Sequence, residues 1–581
     1  MPAGLNEVVL VEQGLISAYG TGVARCAEGL LENRRAFQPA GNSFPPALAG
    51  LPVGAPPSAG TETEQAPRLV ALVRALFADA GTVTPDTPVY VATTVGEIDR
   101  LEKEVLSGAA PSGESRISLL PQRLAEALGV PDGQVQVVSS ACASSTAALA
   151  LAASSIRRGE ASCALVVGCD LVSEFVLSGF AALMALDPDG AKPFDAERRG
   201  VTLGAAAAFA LLMSRERAER EQRPCLGVLG GWGLTCDANH LTGPSRDGAP
   251  LAEAAREALD MAGCPPESVV ALCAHGTGTV YNDQMELLAF SQVFGGKPLP
   301  TFSVKGGMGH TLGAAGLAET LLSLEFLRQG RIPPTAGLRQ ASQEAQGWAS
   351  LSACPIPPAG VVLTTNSGFG GVNAALALAL SPFRNAAAPR ASGAALHEAG
   401  RGASAGSADE APTGGAPALP RNFGRFSAAS RRAFHAVTQA LDKAGLTLDE
   451  NTRTLRYTNG KAPVRVGVIA FDRDGSEAAN RAYYADYVSS GRVLGRGQLF
   501  VYTLPTSVAA ECAIACRLTG PLLYVAEPDG GDGAARQAAR ALLADGLADA
   551  VVMLSVTDQA AQAAVVTTPG AAPLPSETAQ S

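Results

Sequence analysis

A chain of 581 residues has room for up to about four units at roughly 150 residues each, which excludes a single small module. With 47% hydrophobic and 17% charged residues it is too apolar and too weakly charged to be mainly disordered, so it should bury large cores. The formal net charge of −10, from 44 basic and 54 acidic residues, argues against nucleic acid as a partner.

The opening Met-Pro-Ala-Gly-Leu-Asn-Glu carries no basic leader. The longest apolar stretches, around Gly204 to Met213 and Ala374 to Leu380, are too short to span a bilayer. No membrane contact and a cytoplasmic location are therefore expected. The 11 cysteines are odd in number and irregularly spaced, with no CxxC pair, so neither a disulfide framework nor a zinc site is expected.

In chain order, a helical pattern at Pro67 to Ala80 precedes an apolar strand at Pro88 to Thr93. Short apolar runs follow at Val135 to Ser139 and Ala164 to Val167, with a longer helical pattern at Leu251 to Ala262. That alternation predicts an α/β fold. From Asn385 to Arg421 the composition turns to Ala, Gly, Ser and Pro, which reads as a flexible linker (385–421) between a first part, 1–384, and a second, 422–566. Residues 567–581 read as a disordered tail. The second part repeats the order of the first: Arg431 to Gly445 matches Arg68 to Gly81, Val464 to Ala470 matches Pro88 to Thr93, and Leu523 to Glu527 matches Val137 to Ser140.

Chemistry concentrates in four segments of the first part. Val137 to Thr146 is an apolar strand, a turn of small residues and the start of a helix. Cys142 in that turn is a candidate nucleophile whose thiolate a helix N-terminus would favour. Cys273 to Glu286 sets His275 just beyond a strand in a glycine-bearing loop, and Ser303 to Glu319 holds Lys305 and His310 in a similar turn. Two of the chain's five histidines in such loops, one beside a lysine, suit proton or oxyanion work; zinc ligation fits less well, for want of ligand spacing and a third ligand. Asn366 to Asn373 is a glycine-rich loop with Phe369 as its one bulky group, and it lacks the Gly-Lys-Ser/Thr ending of a phosphate cradle.

Together these segments resemble the β-ketoacyl synthase branch of the thiolase superfamily, over roughly Glu7 to Ser381. Supporting stretches are Lys192-Pro-Phe-Asp195, Asp237-Ala-Asn-His-Leu-Thr242 and Arg331-Ile-Pro-Pro-Thr335. The resemblance implies an α/β, thiolase-like five-layered αβαβα core of two similar halves, and a dimer with itself or with another ketosynthase-like chain. It makes Cys142, His275, His310 and Lys305 the catalytic set. Asp283, Glu286 and Glu319 become supports, the amides of Cys142 and Phe369 the oxyanion hole, Phe369 the gate, and Thr277 and Thr279 the pantetheine contacts. The implied reaction is decarboxylative condensation of an acyl thioester with malonyl carrier protein, in fatty-acid or polyketide synthesis. The partner is an acyl carrier protein, whose phosphopantetheine carries the substrates, and no metal or other cofactor is needed. Alternatives are a non-catalytic partner like the chain-length factors, and a cysteine-dependent acyl transfer without decarboxylation. Ser367 makes the gate loop similar to those of aromatic-polyketide ketosynthases. The second part resembles the N-terminal half of the same fold without its cysteine; it should be catalytically silent and should dock on the first part or on another such chain.

Overall fold

The computed structural model describes residues 6–57, 68–78, 84, 86–131, 133–383, 386, 395–405, 426–449, 451–458, 460, 462–557 and 559–568. In the first half of the first unit the main elements are β1 (Val8–Ser17), α1 (Arg68–Leu76), β2 (Val89–Ala92), α2 (Ile98–Ser107), β3 (Val135–Ser139), α3 (Ser144–Arg157), β4 (Cys163–Asp170), α4 (Glu174–Ala182) and β5 (Ala206–Ser214). The other half has β6 (Gly227–Cys236), α5 (Ala249–Ala262), β7 (Val269–Cys273), α6 (Val280–Val293), β8 (Thr301–Phe302), α7 (Ala315–Gln329), β9 (Val361–Gly368) and β10 (Val372–Ala379).

The two halves share one strand plan. β2 lies parallel between β3 and β4, with β5 antiparallel to β4 and β1 antiparallel to β5. Likewise β7 lies parallel between β8 and β9, followed by antiparallel β10 and β6. Val-Tyr-Val-Ala of β2 is buried throughout, as befits a parallel strand covered on both faces. Helix α3 is apolar or small on every side apart from Arg157 at its end, and all 14 of its residues are buried, because it lies between the sheets and touches β2, β4, α7 and β10. The two halves join where β1 pairs antiparallel with β6.

The second unit comprises β11 (His397–Ala405), α8 (Ala428–Lys443), β12 (Val466–Asp472), α9 (Glu477–Ser489), α10 (Ser507–Cys516), β13 (Leu522–Ala526), α11 (Gly533–Ala544), β14 (Ala550–Val556) and β15 (Ala560–Thr567). Its strands follow the same plan a third time: β12 parallel between β13 and β14, then antiparallel β15 and β11. The expected linker is corrected by β11, which falls inside it and occupies the place of β1; residues 385, 387–394 and 406–421 of that segment lie outside the described residues. β15 runs through Thr567, one residue into the expected tail, and 569–581 also lie outside the described residues.

The half-copy docks on the first unit through its strand edge. β13 pairs antiparallel with β3, Tyr524 opposite Ser139 and Val525 opposite Val138, so the two sheets become one. Around this seam Trp232 donates its indole N–H to Asp545 (2.9 Å), Arg492 pairs with Glu174, Arg481 with Glu104 (2.6 Å), and Arg465 with Glu253 and Glu257. Among the described residues no helix is long and apolar enough to cross a membrane.

Candidate active site

β3 ends in a tight elbow. Ala141 takes a φ of +48°, which a residue with a Cβ adopts only when its surroundings hold it there. Ser144 closes the turn: its hydroxyl accepts the Ser140 N–H (2.9 Å) and donates to the Ala141 carbonyl (2.5 Å). Cys142 thus stands just before α3, at the inner wall of a cavity. Gly368, at the end of β9, passes so close that a Cβ there would lie 2.9 Å from the Cys142 amide nitrogen, so only glycine lets the Phe369 loop approach the thiol.

Burial pushes the Cys142 thiol up to about 12, although the Lys305 charge pulls the other way. Desolvation of a buried anion thus opposes the thiolate that a helix N-terminus would favour.

His275 follows β7, and its loop is fastened from α6: the two Glu286 oxygens accept the N–H groups of His275 and Gly276, each at 2.6 Å. Asp283, one turn earlier, accepts the Phe194 N–H (2.8 Å) and the Gly278 N–H (3.2 Å), tying the same loop to the Lys192–Asp195 segment. Burial lifts Asp283 to about 6 and, with the charge of Asp283 added, Glu286 to about 8. Lys305 donates to Glu319 on α7 at 2.5 Å, both side chains being almost wholly buried. His310 is held through its backbone, its N–H donating to Thr202 (2.7 Å) and its carbonyl accepting from Gly204 (2.8 Å). Neither of its buried ring nitrogens has a hydrogen-bond partner.

The two imidazoles meet edge to face with ring centroids 5.1 Å apart. Burial, and after it the Lys305 charge, holds both well below the ordinary histidine range, so both are neutral at neutral pH. Cys142, His275, His310, Thr277, Thr279 and Phe369 all line one cavity of about 540 Å³. The threonine hydroxyls are 2.9 Å apart on its wall. The fold thus brings together every residue singled out in the sequence, with Lys305, Asp283, Glu286 and Glu319 packed behind the lining.

Three further groups belong to this site. Asn366 donates to Glu319 (2.7 Å), accepts from Thr146 (2.5 Å) and lies 3.5 Å from His275 Nδ1, bridging both halves at the cavity base. The Phe369 ring stacks on Phe180 of α4 (5.7 Å), and Phe180 meets Phe500 of the second unit edge-on (5.8 Å). Asn366 opens the glycine-rich segment, but its sequence gives the amide no role; its burial and its three partners come from the fold. Neither Phe180 nor Phe500 has a local signal in the sequence: Phe180 reaches the gate only through the tertiary packing of α4, and Phe500 only through docking of the second unit.

Two family models match the chain: the N-terminal domain of beta-ketoacyl synthase over residues 23–218 and the C-terminal domain over 226–339. Nodulation protein E of Rhizobium meliloti is 36% identical over 252 residues, 42% of this chain and 61% of that protein. The chain therefore spans about three fifths of the length of such curated relatives. A solved structure titled the ishigamide ketosynthase/chain length factor is 31% identical, with 64% of this chain and 99% of that one covered and a TM-score of 0.59. A structure titled PfaC Keto synthase-Chain length factor covers 97% of this chain and 78% of its own at TM-score 0.77 and 17% identity, which speaks for the fold of both units together.

Proposed function

Because this chain belongs to the β-ketoacyl synthase family, we propose that its first unit catalyses a decarboxylating condensation between an acyl group and malonyl carrier protein. In the loading step the Cys142 sulfur attacks the thioester carbonyl of an acyl carrier protein. The thiol proton passes to the departing pantetheine sulfur, and the amides of Cys142 and Phe369 bind the carbonyl oxygen. In the second step the malonyl carboxylate leaves as carbon dioxide and its bonding pair remains as an enolate. The enolate oxygen accepts hydrogen bonds from His275 and His310. The carbon then bonds to the acyl carbon, and Cys142 departs as thiolate and is reprotonated. Neutral imidazoles suit this role, since each offers an N–H to charge that develops only in the transition state. The pathway so written needs no metal or redox group.

One observation carries the reading: Cys142, His275 and His310 line one cavity, and neither ring nitrogen of His310 makes a hydrogen bond. Carbon dioxide release from malonyl carrier protein after acylation is the test. Cys142→Ala is expected to abolish acyl loading, and His310→Ala to slow release on the order of a hundredfold or more. Acyl transfer to another acceptor with no carbon dioxide released would replace this reading with simple acyl transfer.

For the second unit we propose a non-catalytic role, in cis, like that of a chain-length factor. In the place of the Cys142 elbow it carries Glu527-Pro528-Asp529 with no thiol, and Phe500 and Tyr483 back the aromatic wall behind the gate. The β3 edge is already taken by β13, so the chain is expected to behave as a monomer at that seam. A mass measurement that finds dimers broken by substitutions in β3 would argue otherwise.

A further inference from the structure

The loop that carries Phe369 is laced to the loop 236–242, and that loop is gripped by the second unit. Asp237 donates its N–H to the Gly371 carbonyl (2.7 Å), Gly370 donates to the Leu241 carbonyl (2.6 Å), and Asn373 donates to the Asp237 carboxylate (2.7 Å). The Cys236 thiol donates to the Gly370 carbonyl (3.5 Å). From the other unit, the Thr519 carbonyl accepts the Cys236 N–H (3.0 Å), and Arg517 Nη1 donates to the Ala238 carbonyl (2.8 Å). Directly behind the gate, a Cβ on Gly370 would meet Ala510 and Leu522 of the second unit at 3.2 and 3.3 Å. The Ser140 hydroxyl beside the nucleophile also donates to the Leu522 carbonyl (2.8 Å).

Both residues of the arginine contact carry backbone strain. Arg517 ends α10 with a φ of +57°, and Ala238 sits at +45°, left-handed positions where residues with a Cβ are disfavoured. Glycine would end the helix more cheaply. An arginine is explained there by what its guanidinium reaches, a backbone carbonyl of the loop that holds the gate.

We propose that Arg517 is a positioning residue for the gate loop: through it and the Thr519 carbonyl, the half-copy holds the Phe369 backbone against Cys142. The proposal deepens the condensing-enzyme reading and rests on it for its kinetic part only. Without the brace, loop 236–242 loses a charge-assisted bond, and the Phe369 amide samples positions away from the thioester oxygen.

Arg517→Gly separates this role from ordinary packing, because it relieves the helix-end strain while removing the guanidinium. Expected for the full chain are an unchanged or raised melting temperature and amide exchange on the order of tenfold faster in peptides spanning 236–245 and 366–373. Exchange in β4 should stay as it was. With an acyl carrier protein thioester as probe, the maximal rate of Cys142 acylation should fall about tenfold while the half-saturating concentration stays near its original value, and Arg517→Lys should recover part of the loss. Unchanged exchange in both loops in a stably folded Arg517→Gly protein overturns the proposal. If the wild-type chain forms no acyl-Cys142, the condensing reading fails, and the exchange measurement still decides the brace.

Discussion

Replacing Lys305 tests what holds the base of the site. Its ammonium lies 2.5 Å from Glu319, and the side chains are 1% and 2% exposed, so water cannot substitute for a missing partner. Removing one member of a buried pair leaves the other uncompensated, at a cost of about 3–5 kcal/mol. In Lys305→Ala the stranded group is Glu319, which burial already pushes up and Lys305 pulls down; without the lysine its folded pKa rises further. A carboxyl whose folded pKa exceeds its unfolded one contributes stability that is full below the unfolded value and lost as pH rises through the folded value. The deficit of Lys305→Ala should therefore be larger at pH 8 than at pH 5. The double replacement Lys305→Met with Glu319→Gln leaves no buried charge and should cost less than either single change. Urea unfolding of the wild type, Lys305→Ala, Lys305→Met, Glu319→Gln and the double variant at both pH values measures these differences. Single losses below about 1 kcal/mol, or losses that simply add in the double variant, refute the reasoning.

Three other outcomes follow from the same geometry. With its thiol pushed up to about 12, Cys142 should be alkylated by iodoacetamide at a rate that keeps climbing between pH 7 and 10; levelling near the ordinary thiol value of about 8.5, followed by peptide mass spectrometry, would contradict the burial argument. A Cβ on Gly179 of α4 would fall 2.0 Å from the Phe500 ring, so Gly179→Ala should cost about 1–3 kcal/mol in urea unfolding, and the pair Gly179→Ala with Phe500→Ala should cost less than the sum. Burial first, then the charges of Asp99 and Glu174, raises Glu102 to about 7 even though it accepts the Phe175 N–H at 2.6 Å. The folded state thus holds a proton that the unfolded chain has lost, and the Glu102 contribution should fade as pH rises from about 4.5 to 7, with an amplitude on the order of 3 kcal/mol. Glu102→Gln should flatten the stability profile in that window, and an equally steep profile in the variant would rule the assignment out.

The site was legible in the sequence because its chemistry sits in turns where the backbone leaves little choice. Gly368 has no room for a Cβ beside the Cys142 amide, and the His275 loop needs carboxylates at Asp283 and Glu286 to collect its N–H groups. Constraints of that kind write themselves into a few consecutive letters. The burial of the thiol did not, because the strand and turn before α3 show the helix N-terminus but not the desolvation that pushes the thiol up. The strand β11 was hidden for a related reason. His-Glu-Ala-Gly-Arg-Gly-Ala-Ser-Ala lacks branched apolar residues and so has the composition of a linker. Yet a Cβ on Gly400 would stand 2.3 Å from the Ala440 carbonyl oxygen, and one on Gly402 would stand 2.0 Å from that of Ala436. Helix α8 lies so close to this strand that small residues are demanded by packing, and the feature that looks like freedom along the chain is the mark of a tight interface in the fold.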